Sequence, residues 1–116
     1  AIVMKELRRV LKPGSALLLT VPFGKYQNLG HLQQFDRALL TSAVEAFGSP
    51  SRVTETFYRY DSDGWQISTD TACADALYVE SMATAWREGR SATTVPPEPD
   101  KAVAARAVAC VELVKV

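Results

Sequence analysis

The segment Ala16-Leu17-Leu18-Leu19-Thr20-Val21 constrains this chain more than any other. It is apolar on both faces, follows a helical pattern and stops at Pro22. A short run of this kind after a helix reads as a buried strand of a parallel sheet with helices on both sides. In the helix before it, Val3, Leu7, Val10 and Leu11 recur at i, i+4, i+7 and i+8, an apolar stripe. Lys5, Arg8 and Arg9 lie between them and are expected to face water. Pro13-Gly14 stops the helix, because Pro cannot continue it and Gly accepts the turn geometry. The chain opens on Ala inside this helix, which suggests a natural chain that begins further upstream; a removed tag is the rival explanation.

Residues 23–35 show no clear period, hold two glycines and are rich in aromatic and polar groups, so they read as a loop. Asp36 is placed to cap a second helix, its carboxylate accepting the first free amides. Leu39, Leu40, Ala43, Val44 and Phe47 form that helix's apolar face, and Gly48-Ser49-Pro50 closes it. Arg52 to Tyr60 is rich in Thr, Val, Phe and Tyr and predicts a strand. After the turn Asp61-Ser62-Asp63-Gly64, the residues Trp65-Gln66-Ile67 either extend the strand or begin a hairpin partner. From Asp70 to about Trp86, the spacing of Ala72, Ala76, Val79, Ala83 and Trp86 predicts a third helix, with Leu77 broadening its face. Residues 91–100 carry three prolines and form a connection without regular structure. Ala102 to Val116 fits a helix through Val103, Ala107, Val111 and Val114, and fits a buried strand through Val108 to Val114.

A length of 116 residues, 47% of them apolar, suits one globular α/β domain. No apolar run approaches the ~18–20 residues that span a bilayer, and no charged-then-apolar signal segment opens the chain. A cytoplasmic location is the expectation. Thirteen basic residues balance thirteen acidic ones. The excess positive charge of residues 1–52 and the acidic middle, residues 53–100, are too dilute for a nucleic-acid or membrane footprint. Cys73 and Cys110 both sit among small apolar neighbours and read as two reduced, buried thiols; a disulfide or a metal pair is the alternative. One His and no CxxC argue against a zinc site.

Met4-Lys5-Glu6-Leu7-Arg8-Arg9-Val10-Leu11-Lys12-Pro13-Gly14-Ser15 followed by the apolar run to Pro22 resembles class I S-adenosylmethionine-dependent methyltransferases. The likeness is to the helix before the fifth sheet strand and to that strand, where the family commonly reads E-x-x-R-V-L-K-P-G-G; Ser15 replaces the second Gly. His31-Leu32-Gln33-Gln34-Phe35-Asp36, followed by Leu39 and Leu40, is similar to the loop and helix start that often come next. Ala109-Cys110-Val111-Glu112-Leu113-Val114-Lys115 is similar to the family's last, antiparallel strand. The resemblance implies a partial Rossmann-like half-fold: a small mixed sheet of strands at about 16–21, 52–60 and 107–115, with flanking helices. In that sheet the last strand runs antiparallel between the other two. Residues 65–100 stand as an unmatched insertion. The family holds its donor on a glycine-rich turn and an acidic residue from the first two strands, where exposed amides and a carboxylate meet the ligand. The chain contains no G-x-G-x-G. The resemblance therefore implies the acceptor-side, C-terminal half of such an enzyme, with S-adenosylmethionine as the family's donor but not expected to bind this chain alone.

In open α/β sheets, ligands bind beyond the carboxyl ends of the strands, here Thr20 to Gly24 and the loop to Phe35. Methyl transfer is an in-line displacement that gains from alignment, desolvation and a base for the acceptor. Phe23, Tyr26 and Trp65 are the candidate acceptor-binding residues, and His31, whose imidazole titrates near neutrality, is the candidate base. The competing readings are plainer: Phe23 and Phe35 as core plugs, His31 as a hydrogen-bonding or exposed loop residue, Trp65 as a strand-end anchor. Tyr58 and Tyr60 read as packing groups and Lys25 as a solvated charge. Without a second His or a nucleophile elbow, Ser and Thr make no hydrolase case. Two functions remain in competition: an incomplete methyltransferase with a small-molecule acceptor, and a non-catalytic α/β module for assembly or small-ligand binding. A half-fold leaves a strand edge and apolar helix faces open, so a homodimer, or a complex with a missing N-terminal half, is expected.

Overall fold

The computed structural model describes residues 2–30, 32–48, 51–79 and 105–116. The elements run α1 (Ile2–Val10), β1 (Ala16–Pro22), β2 (Gln27–Asn28), β3 (Gln33–Gln34), α2 (Arg37–Phe47), β4 (Ser51–Asp61), β5 (Gly64–Ser68), α3 (Asp70–Cys73) and β6 (Ala107–Lys115). Four strands form one sheet in the order β1-β6-β4-β5, and β2 and β3 form a separate two-stranded ribbon. The C-terminal segment is thus a strand. It lies antiparallel between β1, where Leu19 faces Val111, and β4, where Phe57 faces Ala109. Trp65-Gln66-Ile67 belongs to a hairpin partner of β4, in register Tyr60 to Trp65 and Tyr58 to Ile67.

The sheet departs from expectation: it is antiparallel at every neighbouring pair among the described strands, where a mixed sheet was expected. The two strands that run parallel to each other, β1 and β4, are separated by β6 and never touch as neighbours. Nor is β1 covered on both faces. Leu17, Leu19 and Val21 pack into the core, whereas Ala16, Leu18 and Thr20 are exposed. The reason is that α1 and α2 lie on the same side of the sheet, their Met4, Leu40 and Phe47 meeting Val111, Leu113 and Ala109 in one cluster. An apolar run reports that a strand is hydrophobic, not how many of its faces have a layer against them.

The helices follow the same physics with local corrections. In α1 Met4 is buried and Leu7 half-buried against the core, as is Leu11 just past the helix end, while Val3 and Val10 are exposed. Lys5 and Arg9 face water, but Arg8 is half-buried: its guanidinium lies 5.2 Å from the centre of the Phe47 ring and donates to the Gly48 carbonyl at 3.2 Å. That contact fastens α1 to the end of α2. Asp36 caps α2, one carboxylate oxygen accepting from the Leu39 amide at 2.9 Å. Gly48 ends the helix at φ 101°, a left-handed conformation that favours Gly.

The third helix is much shorter than its spacing predicts. It spans Asp70–Cys73, capped by Thr69, and the described residues that follow are not helical. The predicted remainder, from residue 80 to 86, lies outside the described residues, as does the connection at 91–100. The backbone directly after α3 hydrogen-bonds elsewhere: the Ala76 carbonyl accepts from the Lys25 amide, and the Tyr78 amide donates to the Gln27 side chain. Periodic alanines supply helix propensity, but here tertiary partners take the groups a helix would need.

Candidate functional site

The loop after β1 is tied down by its backbone. The Phe23 amide donates to Ala107, the Gly24 amide to Phe35, and the Phe35 amide to Pro22, each at 2.9 Å. Gly24 passes so close to Ala76 that a Cβ there would overlap its carbonyl oxygen. Gln34, wholly buried, holds the ribbon in place: its amide nitrogen reaches the carbonyls of Lys25 at 2.8 Å and Ala76 at 3.0 Å, and the Gln27 side chain at 3.0 Å. Buried polar groups persist where partners replace water, so this node fixes the loop against the residues following α3.

Beside that node, at the carboxyl end of β1, lies a cleft of about 410 Å³. The loop contributes Phe23, Gly24, Lys25 and Tyr26, the start of α2 contributes Asp36, Arg37 and Ala38, and α3 contributes Asp70, Thr71 and Ala74. Arg37 organises its polar wall. Its two terminal nitrogens grip the Glu55 carboxylate on β4 at 3.0 and 3.1 Å, and one of them also reaches Asp70 at 3.1 Å. The guanidinium lies 5.4 Å from the centre of the Phe57 ring. The fork geometry of Arg suits such paired contacts. The hydrogen bonds to Glu55 push Arg37 above its ordinary range. The Thr71 amide, 2.8 Å from Asp70, and then the Arg37 charge hold the Asp70 carboxyl below its ordinary range. On the other side of α3, Arg59 of β4 bonds the Ala72 carbonyl at 2.6 Å and Asp75 at 3.0 Å.

Of the candidates read from the sequence, Phe23 and Tyr26 come together in this cleft. Phe23 is a core residue as well, edge-on to Phe57 with ring centres 4.9 Å apart. Tyr26 stands 46% exposed in the wall. Trp65 does not line the cleft; it sits on β5 against Tyr60, ring centres 5.4 Å apart. His31 lies outside the described residues. Lys25 is exposed, as expected, yet borders the cleft. Sequence reasoning missed Arg37, Asp70 and Thr71. The helix-start pattern Asp36-Arg37 was visible, but the partners of Arg37 stand 18 and 33 residues away and follow no period.

Cys73 is buried and Cys110 half-buried, and both are free thiols. Among the described residues no three His, Cys, Asp or Glu side chains group to hold a metal, and no helix is long and apolar enough to cross a membrane. Fold and cleft define a mixed α/β chain with a four-stranded antiparallel sheet and a two-stranded ribbon. Compared with protein-family models, with curated proteins and with solved structures, the chain matches none.

Proposed function

We propose that this chain forms the acceptor-side part of a class I methyltransferase-like fold, its cleft at the end of β1 receiving a small acceptor molecule. The observation that carries this reading is the placement of β6 antiparallel between β1 and β4, the arrangement the sequence resemblance implies. Residues around the cleft do not fit S-adenosylmethionine. The turn after β1 has one glycine, Gly24, and the space its missing side chain leaves is taken by the Ala76 carbonyl rather than left open to a ligand. The donor site is accordingly assigned to residues outside this cleft. What these residues supply is alignment. Tyr26 offers an aromatic wall, and the Thr71 amide and Arg37 orient the Asp70 carboxylate as a hydrogen-bond acceptor. His31 is the proposed base.

A second reading, a non-catalytic assembly module, is favoured by one observation: among the described residues β1 is an edge of the sheet, with Leu18 75% exposed. Titration calorimetry with S-adenosylmethionine, beside a sizing measurement, separates the two. A chain that stays monomeric and binds no donor on its own is what the methyltransferase half-fold reading expects, whereas a dimer paired along the β1 edge supports the module. A monomer that binds the donor tightly on its own overturns the half-fold reading.

A further inference from the structure

The cleft's lining narrows the acceptor further. Four charged residues line it, Lys25 and Arg37 against Asp36 and Asp70, so the formal charge of the lining is balanced. A phosphorylated or carboxylated ligand would meet two carboxylates, and a cationic amine would meet an ammonium and a guanidinium. A more apolar groove, the better seat for an acyl chain, lies elsewhere, between Val3, Leu19, Phe35, Leu39 and Ala43. A neutral molecule rich in hydroxyls with one apolar face suits this mixture of balanced charge and apolar surface.

The geometry suits such a molecule. Asp70 is immobilised from two sides, by Arg37 at 3.1 Å and by the Thr71 amide at 2.8 Å, so it meets a ligand hydroxyl as a fixed acceptor. Lys25 provides a donor at the rim, and the half-exposed ring of Tyr26 offers a flat apolar surface. A volume of about 410 Å³ has room for a sugar ring or two. We propose that the cleft binds a neutral carbohydrate, a pyranose ring lying against Tyr26 with its hydroxyls on Asp70 and Lys25. This assigns a substrate class to the acceptor cleft and rests on that reading for its biological meaning.

The test is an amide chemical-shift titration of the full chain with the methyl pyranosides of glucose, galactose and mannose, with glucuronate and glucosamine as charged controls and no methyl donor present. At least one neutral glycoside is expected to shift the amides of Gly24, Tyr26 and Thr71 saturably, and more tightly than either charged sugar. Tyr26→Ala and Asp70→Asn should each weaken that binding by about tenfold, with the dispersion of the spectrum reporting that each variant is folded. Absence of saturable shifts with all three glycosides, shifts that map away from the cleft, or preference for a charged sugar overturns the proposal, and these outcomes need no variant. Because the donor is omitted, sugar binding can succeed where tight donor binding overturns the half-fold reading, and can fail where that reading stands.

Discussion

The two faces of the sheet are made from the same strands and have opposite fates. On the helix side, Ala107, Ala109, Val111 and Leu113 of β6 are buried beneath α1 and α2. On the other side, Leu18 of β1 and Ile67 of β5 are three-quarters exposed, beside Thr20, Thr54 and Glu112. Strand pleating sends alternate residues to opposite faces, so composition averaged along a strand conceals the difference. The cleft, the buried Gln34 node and the Arg37 bridge to Glu55 all belong to the helix side. Layering therefore decides where this chain's stability and its candidate chemistry reside.

The sharpest test of that contrast compares Phe47→Ala with Leu18→Ala by chemical denaturation. Phe47 is wholly buried under Arg8, and its truncation should cost about 3–5 kcal/mol. Leu18→Ala should change stability by no more than ~0.5 kcal/mol. A loss near 2 kcal/mol at Leu18, growing with protein concentration, would break the comparison by showing the open face covered by another copy. Next in size is Gly24→Ala, which forces a Cβ onto the Ala76 carbonyl and should cost about 2 kcal/mol while disturbing the cleft loop. Matched amide spectra would locate that disturbance at residues 24–35 and 74–78. Asp36→Ala removes the cap of α2 and should cost about 1 kcal/mol in the same denaturation assay.

The smallest effect is a pH dependence confined to the helix side. The Thr71 amide and the Arg37 charge hold Asp70 below its ordinary range, so its carboxylate is favoured by the folded state. The contribution is fully present above the unfolded value and disappears as pH falls through the lower, folded one. Melting curves of the native chain and of Asp70→Asn should therefore differ at neutral pH and converge in acid. Curves that stay equally separated throughout would show that neither the Thr71 amide nor Arg37 favours the ionised Asp70 in the folded chain.

Much of this architecture was legible locally. Asp36 as a cap, Pro13-Gly14 and Gly48 as stops, and β-branched and aromatic residues over 52–60 each act within a few residues of themselves. Even the open face left a trace, since Arg52, Thr54 and Thr56 alternate with Val53, Glu55 and Phe57. The site was less legible. Tyr26 was visible as an aromatic in the loop after β1, but Arg37, Asp70 and Thr71 act through partners on other elements. The buried position of Gln34, a residue usually exposed, is set by two carbonyls and a side chain that only folding brings together.

By itself the sequence determined the identity and approximate limits of both longer helices and of β1 and β4, and left residues 65–67 open between an extension of β4 and a hairpin partner, because propensity, capping and alternation are short-range forces. It left β6 undecided between helix and strand, gave α3 too many residues and covered β1 on two sides. Tertiary structure decided those points. A periodic or uniformly apolar segment takes its final form from whichever partners saturate its backbone and bury its surface, and here those partners are β1 and β4 for β6, the Gln27 and Lys25 loop for the residues after α3, and two helices on a single face for β1.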